Sequence, residues 1–160
     1  MNTEKEKATA ALVTKDGQFF FAKGFGYEGE ASGEIAFTTA AIGYQEIITN
    51  PMNKGKVMLF TFPHIGNVGI NAEDSLSKTG QVAGVIVRNY PTLASNYRAK
   101  TELVSFLEKE KIVGICELDT RALLQKIKSA KGRLFGIIAY DKKGVDVEKL
   151  KKKAMDMKVD

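Results

Sequence analysis

Residues 56–71 read KVMLFTFPHIGNVGIN, and the fold turns on how that stretch divides. Its first seven residues, KVMLFTF (56–62), are apolar nearly throughout. A strand exposed on one face alternates between apolar and polar. A run without alternation fits a strand buried on both faces, as in a sheet covered by helices. The rest has a different character. Pro63 removes a backbone donor, Gly66 and Gly69 loosen the chain, and His64 sits among them with Asn67 and Asn71. His64 is the sole histidine of 160 residues. A buried strand opening into a shaped polar loop is the predicted unit, and such loops on a rigid sheet are where contacts gather.

Working outward, VAGVIV (82–87) repeats the doubly buried pattern, and GEIAFTT (33–39) reads as a further strand. Before them, ATAALVTKDGQFFFAKGFG reads as a β-hairpin, with Asp16-Gly17 suited to a tight primed turn. YQEIITNP (44–51) predicts a short helix or turn stopped at Pro51. After Tyr90-Pro91 helices alternate with strands. KTELVSFLEKEK (100–111) sets Leu103, Phe106 and Leu107 at helical spacing, with Thr101 as N-cap. IVGI (112–115) and LFGIIAY (134–140) are strands. LDTRALLQKIKSAKG (118–132) is a helix capped by Asp119 or Thr120, with Gly132 placed to close it in a left-handed conformation. Strands first, then helices alternating with strands, predict one α/β or α+β domain.

Composition narrows the function. One cysteine excludes an internal disulfide framework. No apolar run reaches the roughly 20 residues that span a bilayer, so no membrane partner is expected. MNTEKEKATA has no signal-peptide core, which makes the cytoplasm the expected compartment. The net charge is +5, and DKKGVDVEKLKKKAMDMKVD (141–160) carries seven lysines. Five acidic residues interleave them and no arginine is present, so that stretch reads as a solvated helical face or tail. No nucleic-acid partner is expected.

Three motifs invite chemistry and lack its context. GFGYEG (24–29) matches G-x-G-x-x-G, but strand-like sequence follows where a helix should receive a pyrophosphate, and Glu28 and Glu30 would repel one. Turning glycines between two strands are the expected reading. Cys116 in GIC has no base assigned to it, so a buried, inert thiol is expected. One histidine and one cysteine at no ligand spacing predict no metal site. The catalytic set is therefore empty.

Four stretches, in order and spacing, carry a resemblance: FTTAAIGYQEIITNP, TFPHIGNVGIN, VIVRNYPTLASNYRA and LDTRALLQKIKSAKG. They resemble the N-terminal domain of the carbamoyl-phosphate synthetase small-subunit family, from about Ala11 to Ala139. The family pattern runs approximately F-N-T-x-x-T-G-Y-Q-E-I-x-T-D-P, T-x-P-H-I-G-N-x-G, L-A-S-N-x-R and D-T-R-x-L. The resemblance implies a three-layer β/β/α swivelling domain of the α/β class. It implies a layout of polar tail (1–10), small-subunit domain (11–140) and basic C-terminal helix or tail (141–160). The implied role is docking on the large subunit and bordering the glutamine site, while carbamoyl phosphate is made for arginine and pyrimidine synthesis. ATP and Mg would belong to the large subunit, with no cofactor in this chain. The resemblance places partner contacts at Pro63, His64, Gly66, Asn67, Asn96 and Arg98.

The chain departs from the pattern twice. The family's amidotransferase domain, with its Cys-His-Glu triad, is not within these 160 residues, so it is expected in cis or trans and this chain alone is expected not to be an enzyme. In addition, Met52 stands where the family has a glutamine-contacting serine, and a thioether donates no hydrogen bond. Ala40 and Ile42 also replace polar family residues. These changes keep open a second reading, a free-standing non-catalytic relative that binds a protein or ligand.

Overall fold

The computed structural model describes residues 8–39, 44–61, 80–89, 97–131 and 133–158. Seven strands form one closed barrel: β1 Ala10–Thr14, β2 Phe19–Gly26, β3 Gly29–Thr38, β4 Val57–Phe60, β5 Gly84–Val87, β6 Val113–Cys116 and β7 Phe135–Tyr140. Their order around the barrel is β1-β2-β6-β5-β4-β3-β7. The α1 helix (Tyr44–Thr49) leads into a 3₁₀ turn at Pro51–Asn53. Later come α2 (Tyr97–Lys109), α3 (Thr120–Ser129) and α4 (Val147–Met155). The domain is thus α/β, as expected, with its strands joined into one closed sheet.

The barrel has two kinds of wall. Strands β3, β4, β5 and β6 run parallel to one another. The β2/β6, β1/β2, β1/β7 and β3/β7 pairs are antiparallel. Side chains alternate between inside and outside along each strand. Inward go Leu12, Phe20, Ile35, Leu59, Ile86, Ile115 and Ile138, joined by Leu123 and Ile127 of α3. Outward from the parallel wall, Met58, Phe60, Val85, Val87 and Cys116 meet Ile48 of α1 and Leu103 and Leu107 of α2. Outward from β1 and β7, Ala11, Val13, Ile137 and Ala139 meet Leu150 and Ala154 of α4. This explains the unbroken apolar runs: each such strand has a core on both faces. Each large side chain so buried contributes about 1.5–3 kcal/mol.

Local chemistry sets the element ends. Asp119 caps α3, its Oδ1 accepting from the Ala122 amide at 3.0 Å. Asp146 caps α4 in the same way, accepting from Lys149 at 3.1 Å. The α3 helix closes one residue earlier than the glycine position suggests. Lys131 takes the left-handed conformation, at φ 51°; Gly132 lies outside the described residues. The α2 helix begins at Tyr97, which puts Thr101 inside it and not at its cap. The first hairpin turns through three residues, Lys15, Asp16 and Gly17, with the Thr14 amide donating to the Gln18 carbonyl and the Gly17 amide to that of Thr14. Gly17 sits at φ 93°, so a three-residue loop replaces the two-residue primed turn.

The glycines of GFGYEG serve packing and turning. A Cβ at Gly24 would lie 2.0 Å from the Tyr140 ring, and one at Gly26 would lie 2.8 Å from the Ile112 carbonyl oxygen. Gly26 also needs φ 75°. Two predictions follow from these local details. Gly26→Ala combines a left-handed strain with a backbone clash, and should cost about 1–3 kcal/mol in urea unfolding; an unchanged midpoint would contradict the packing role. The second concerns the Asp16 carboxylate, which binds Lys126 Nζ at 2.7 Å and accepts from the Thr14 hydroxyl. The Lys126 hydrogen bond first, then that of Thr14, holds its pKa below the ordinary value. The pair therefore stabilises the fold in full above the unfolded pKa of about 3.9, and less as pH falls through the lower folded value. Both partners meet solvent, so the effect should stay under about 1 kcal/mol. Asp16→Asn should lose stability relative to wild type above pH 4 and converge with it in stronger acid.

Candidate functional site

Parallel pairing brings four strand ends into one row. Thr38 pairs with Phe60, Phe60 with Val87, and Val87 with Cys116. One residue further, the Thr61 amide and hydroxyl both donate to the Thr38 carbonyl, at 3.1 and 3.0 Å. The Glu117 amide donates to the Arg88 carbonyl at 3.0 Å. The chain leaves this edge after β3, β4, β5 and β6, and each departure opens one of the four stretches singled out in the sequence. The crevice beyond the carboxyl ends of parallel strands is a common place for ligands and partners to bind.

The described rim of this edge combines two arginines with one aspartate, two threonines and two leucines. Thr61, Arg88, Leu118, Asp119, Thr120, Arg121 and Leu124 line an open cleft of about 550 Å³. Glu117 beside it holds a left-handed φ of 60°, an unfavourable conformation for a residue with a Cβ. Its carboxylate meets Lys23 Nζ at 3.4 Å, tying β2 to the edge. Because Lys23 pairs with Cys116, the earlier residues of β2 extend past the end of β6. Among these, Phe19 and Phe21 stack edge to face at 5.1 Å and are 42% and 47% exposed.

The predicted site residues distribute unevenly. Pro63, His64, Gly66, Asn67 and Asn96 lie outside the described residues. Arg98 falls in the first turn of α2. Met52 is on the 3₁₀ turn before β4, 83% exposed, its amide donating to Asn50 Oδ1 at 3.0 Å. That turn enters β4 at the strand's amino end, so the length of the strand, roughly 10 Å, separates Met52 from the row. Sequence reading did not single out Arg88, Arg121, Phe19 or Phe21. The arginines were legible as parts of the motifs; the two phenylalanines gave no signal, because alternation does not say which face a neighbouring helix leaves open.

Cys116 ends β6 in the same row but faces the outer core. It is fully buried, and burial first, then the Glu117 charge, pushes its thiol pKa up to about 12. A buried thiol held in its neutral form is a poor nucleophile. Among the described residues no group of three or more His, Cys, Asp or Glu could hold a metal ion. No helix among them is long and apolar enough to cross a membrane. The purified chain should release no glutamate from glutamine, and iodoacetamide should label Cys116 only after unfolding. Glutamate release abolished by Cys116→Ala would contradict this account of the thiol.

Comparison with known proteins agrees with the motif order. Residues 12–138 match the family described as carbamoyl-phosphate synthase small chain, CPSase domain. The carbamoyl phosphate synthase small chain of Aquifex aeolicus is 43% identical over 151 residues, covering 94% of this chain and 40% of the relative. That of Bartonella henselae is 47% identical over 154 residues, covering 92% and 38%. A solved aminopeptidase from Aneurinibacillus sp. strain AM-1 aligns at TM-score 0.42 and 12% identity, over 84% of this chain and 30% of its own, too distant to bear on fold or activity. The chain thus spans about 40% of the length of the Aquifex relative. With this match over residues 12–138 and the four motifs rising from one edge of the barrel, the chain belongs to the carbamoyl-phosphate synthase small chain family, as its CPSase domain.

Proposed function

We propose that this domain docks a carbamoyl-phosphate synthase large subunit through the carboxyl edge of its parallel wall. In this reading Pro63, His64, Gly66, Asn67 and Asn96, from the stretches that follow β4 and β5 in sequence, and Arg98, in the first turn of α2, supply contacts. An amidotransferase domain, in cis or in trans, hydrolyses glutamine, and this domain borders its glutamine site. ATP, Mg and carbamoyl phosphate synthesis for the arginine and pyrimidine pathways belong to the large subunit, in the cytoplasm. The parallel wall, the antiparallel wall and the α2 layer then stand for the three layers of a β/β/α swivelling fold.

The observation that carries the reading is the register row Thr38–Phe60–Val87–Cys116. Four family motifs far apart in sequence start side by side on it. A docking face needs several loops held rigidly together, and hydrogen-bonded parallel strands supply that. One observation favours the second reading, a free-standing binding module. Met52, in place of the serine, is exposed at the other end of β4 and brings no strong donor or acceptor to a glutamine.

Mixing the purified chain with a purified large subunit tests the proposal. Co-elution in size-exclusion chromatography is the expected result. His64→Ala and Arg98→Ala should each weaken binding about tenfold, the usual scale of a contact worth 1–2 kcal/mol. Separate elution of the wild-type chain would overturn docking; unchanged affinity of a variant would remove that residue from the contact.

A further inference from the structure

Two clefts among the described residues carry several cations, and they differ in what those cations already do. In the first, Lys15, Lys126 and Arg133 surround a space beside β7. Lys15 Nζ donates to the Met155 and Met157 carbonyls, Lys126 holds Asp16, and Arg133 lies over the Phe135 ring at 5.8 Å. Those charges are engaged in holding the β1–β2 turn, α3 and the end of α4 together. The second is the cleft at the carboxyl edge. There Arg88 follows β5 and Arg121 opens α3, and both line the same space with Thr61 and Thr120. The ion pairs among the described residues are all made by lysines: Lys23, Lys126, Lys142 and Lys153. Neither Arg88 nor Arg121 is paired among the described residues.

Among the described lining of the cleft there is one carboxylate, Asp119. Asp119 accepts the Ala122 amide at the start of α3. The described rim therefore sets two guanidinium groups against one carboxylate, which caps the ten-residue α3 helix. A guanidinium is always charged and presents its donors as a planar fork that fits a carboxylate with two parallel bonds. Two such groups beside one carboxylate leave the described lining with an excess of positive charge, which an acidic group would complement.

The geometry points to the Arg88–Arg121 cleft as a carboxylate-binding site, filled in the assembled protein by an acidic side chain of the docking partner. This rests on the docking reading above and adds to it the chemistry of the group received. The partner presents an aspartate or glutamate on a protruding loop, because the cleft lies at the rim between strand ends and the start of α3. Desolvation on docking strengthens the pair relative to either arginine in water.

Two measurements separate this proposal from the docking reading. In the first, the arginine Nε–H resonances of the full chain are followed by NMR while sodium succinate is added, against sodium chloride at matched ionic strength. The Arg88 and Arg121 signals should shift with succinate and not with chloride. Arg88→Gln should abolish the shift at Arg121, and Arg121→Gln the shift at Arg88. In the second, affinity for the purified large subunit is measured for both variants and for Arg88→Lys, with circular dichroism establishing that each is folded. Each Gln variant should bind about tenfold more weakly or worse, and Arg88→Lys, which keeps the charge but not the fork, should recover only part. Wild-type docking with unaltered affinity in both Gln variants would overturn the cleft proposal and leave docking standing. Absence of any docking would overturn the docking reading and with it the acidic partner group, while the succinate shift would still carry the carboxylate site. No shift with succinate would overturn the site itself.

Discussion

Four parallel strands hydrogen-bonded in register are the constraint on which this domain depends. Parallel pairing of β3, β4, β5 and β6 forces every connection between them to cross from one edge to the other. All four chain exits consequently fall on one side of the molecule. The antiparallel strands β1, β2 and β7 close the sheet behind that wall, so neither edge of it is left unpaired. Helices α1 and α2 cover the wall's outer face, and α3 reaches the interior core. The result is a hydrogen-bonded frame from which the chain departs four times at one end.

That frame also fixes the surroundings of Cys116 and of the glycine motif. Cys116 ends a strand in the row, yet the side-chain alternation of β6 turns its sulfur into the outer core, where burial keeps it protonated. The glycines of the dinucleotide-like motif are occupied by neighbours: the Tyr140 ring against Gly24 and the Ile112 carbonyl against Gly26. What the described edge presents is arginines, threonine hydroxyls and exposed aromatic rings. This division suits a domain that makes up about 40% of the length of the Aquifex relative it matches.

Much of this was legible in the sequence, and for local reasons. The unbroken apolar runs at 57–60 and 84–87 betrayed strands with a core on both faces, and Asp119 announced the start of α3. The misses are also local. Lys131 takes the left-handed position that a following glycine suggested for itself, because the helix ends where its last carbonyls are answered, not where the most permissive residue stands. The closed barrel was not legible. Pairing β7 with both β1 and β3 joins residues more than a hundred positions apart, and periodicity carries no information about such partners. The site was legible as motifs but not as a site: only the register shows that Thr38, Phe60, Val87 and Cys116 stand shoulder to shoulder.

The claim that the carboxyl edge of the parallel wall is the working face has a direct test. Hydrogen–deuterium exchange of the full chain, with and without a purified large subunit, maps the surface that the partner covers. Slowed exchange should concentrate in residues 39–43, 61–79, 88–98 and 117–121, while α4 and the 3₁₀ turn at Pro51–Asn53 exchange as before. Protection centred on α4, with that edge unchanged, would contradict the account.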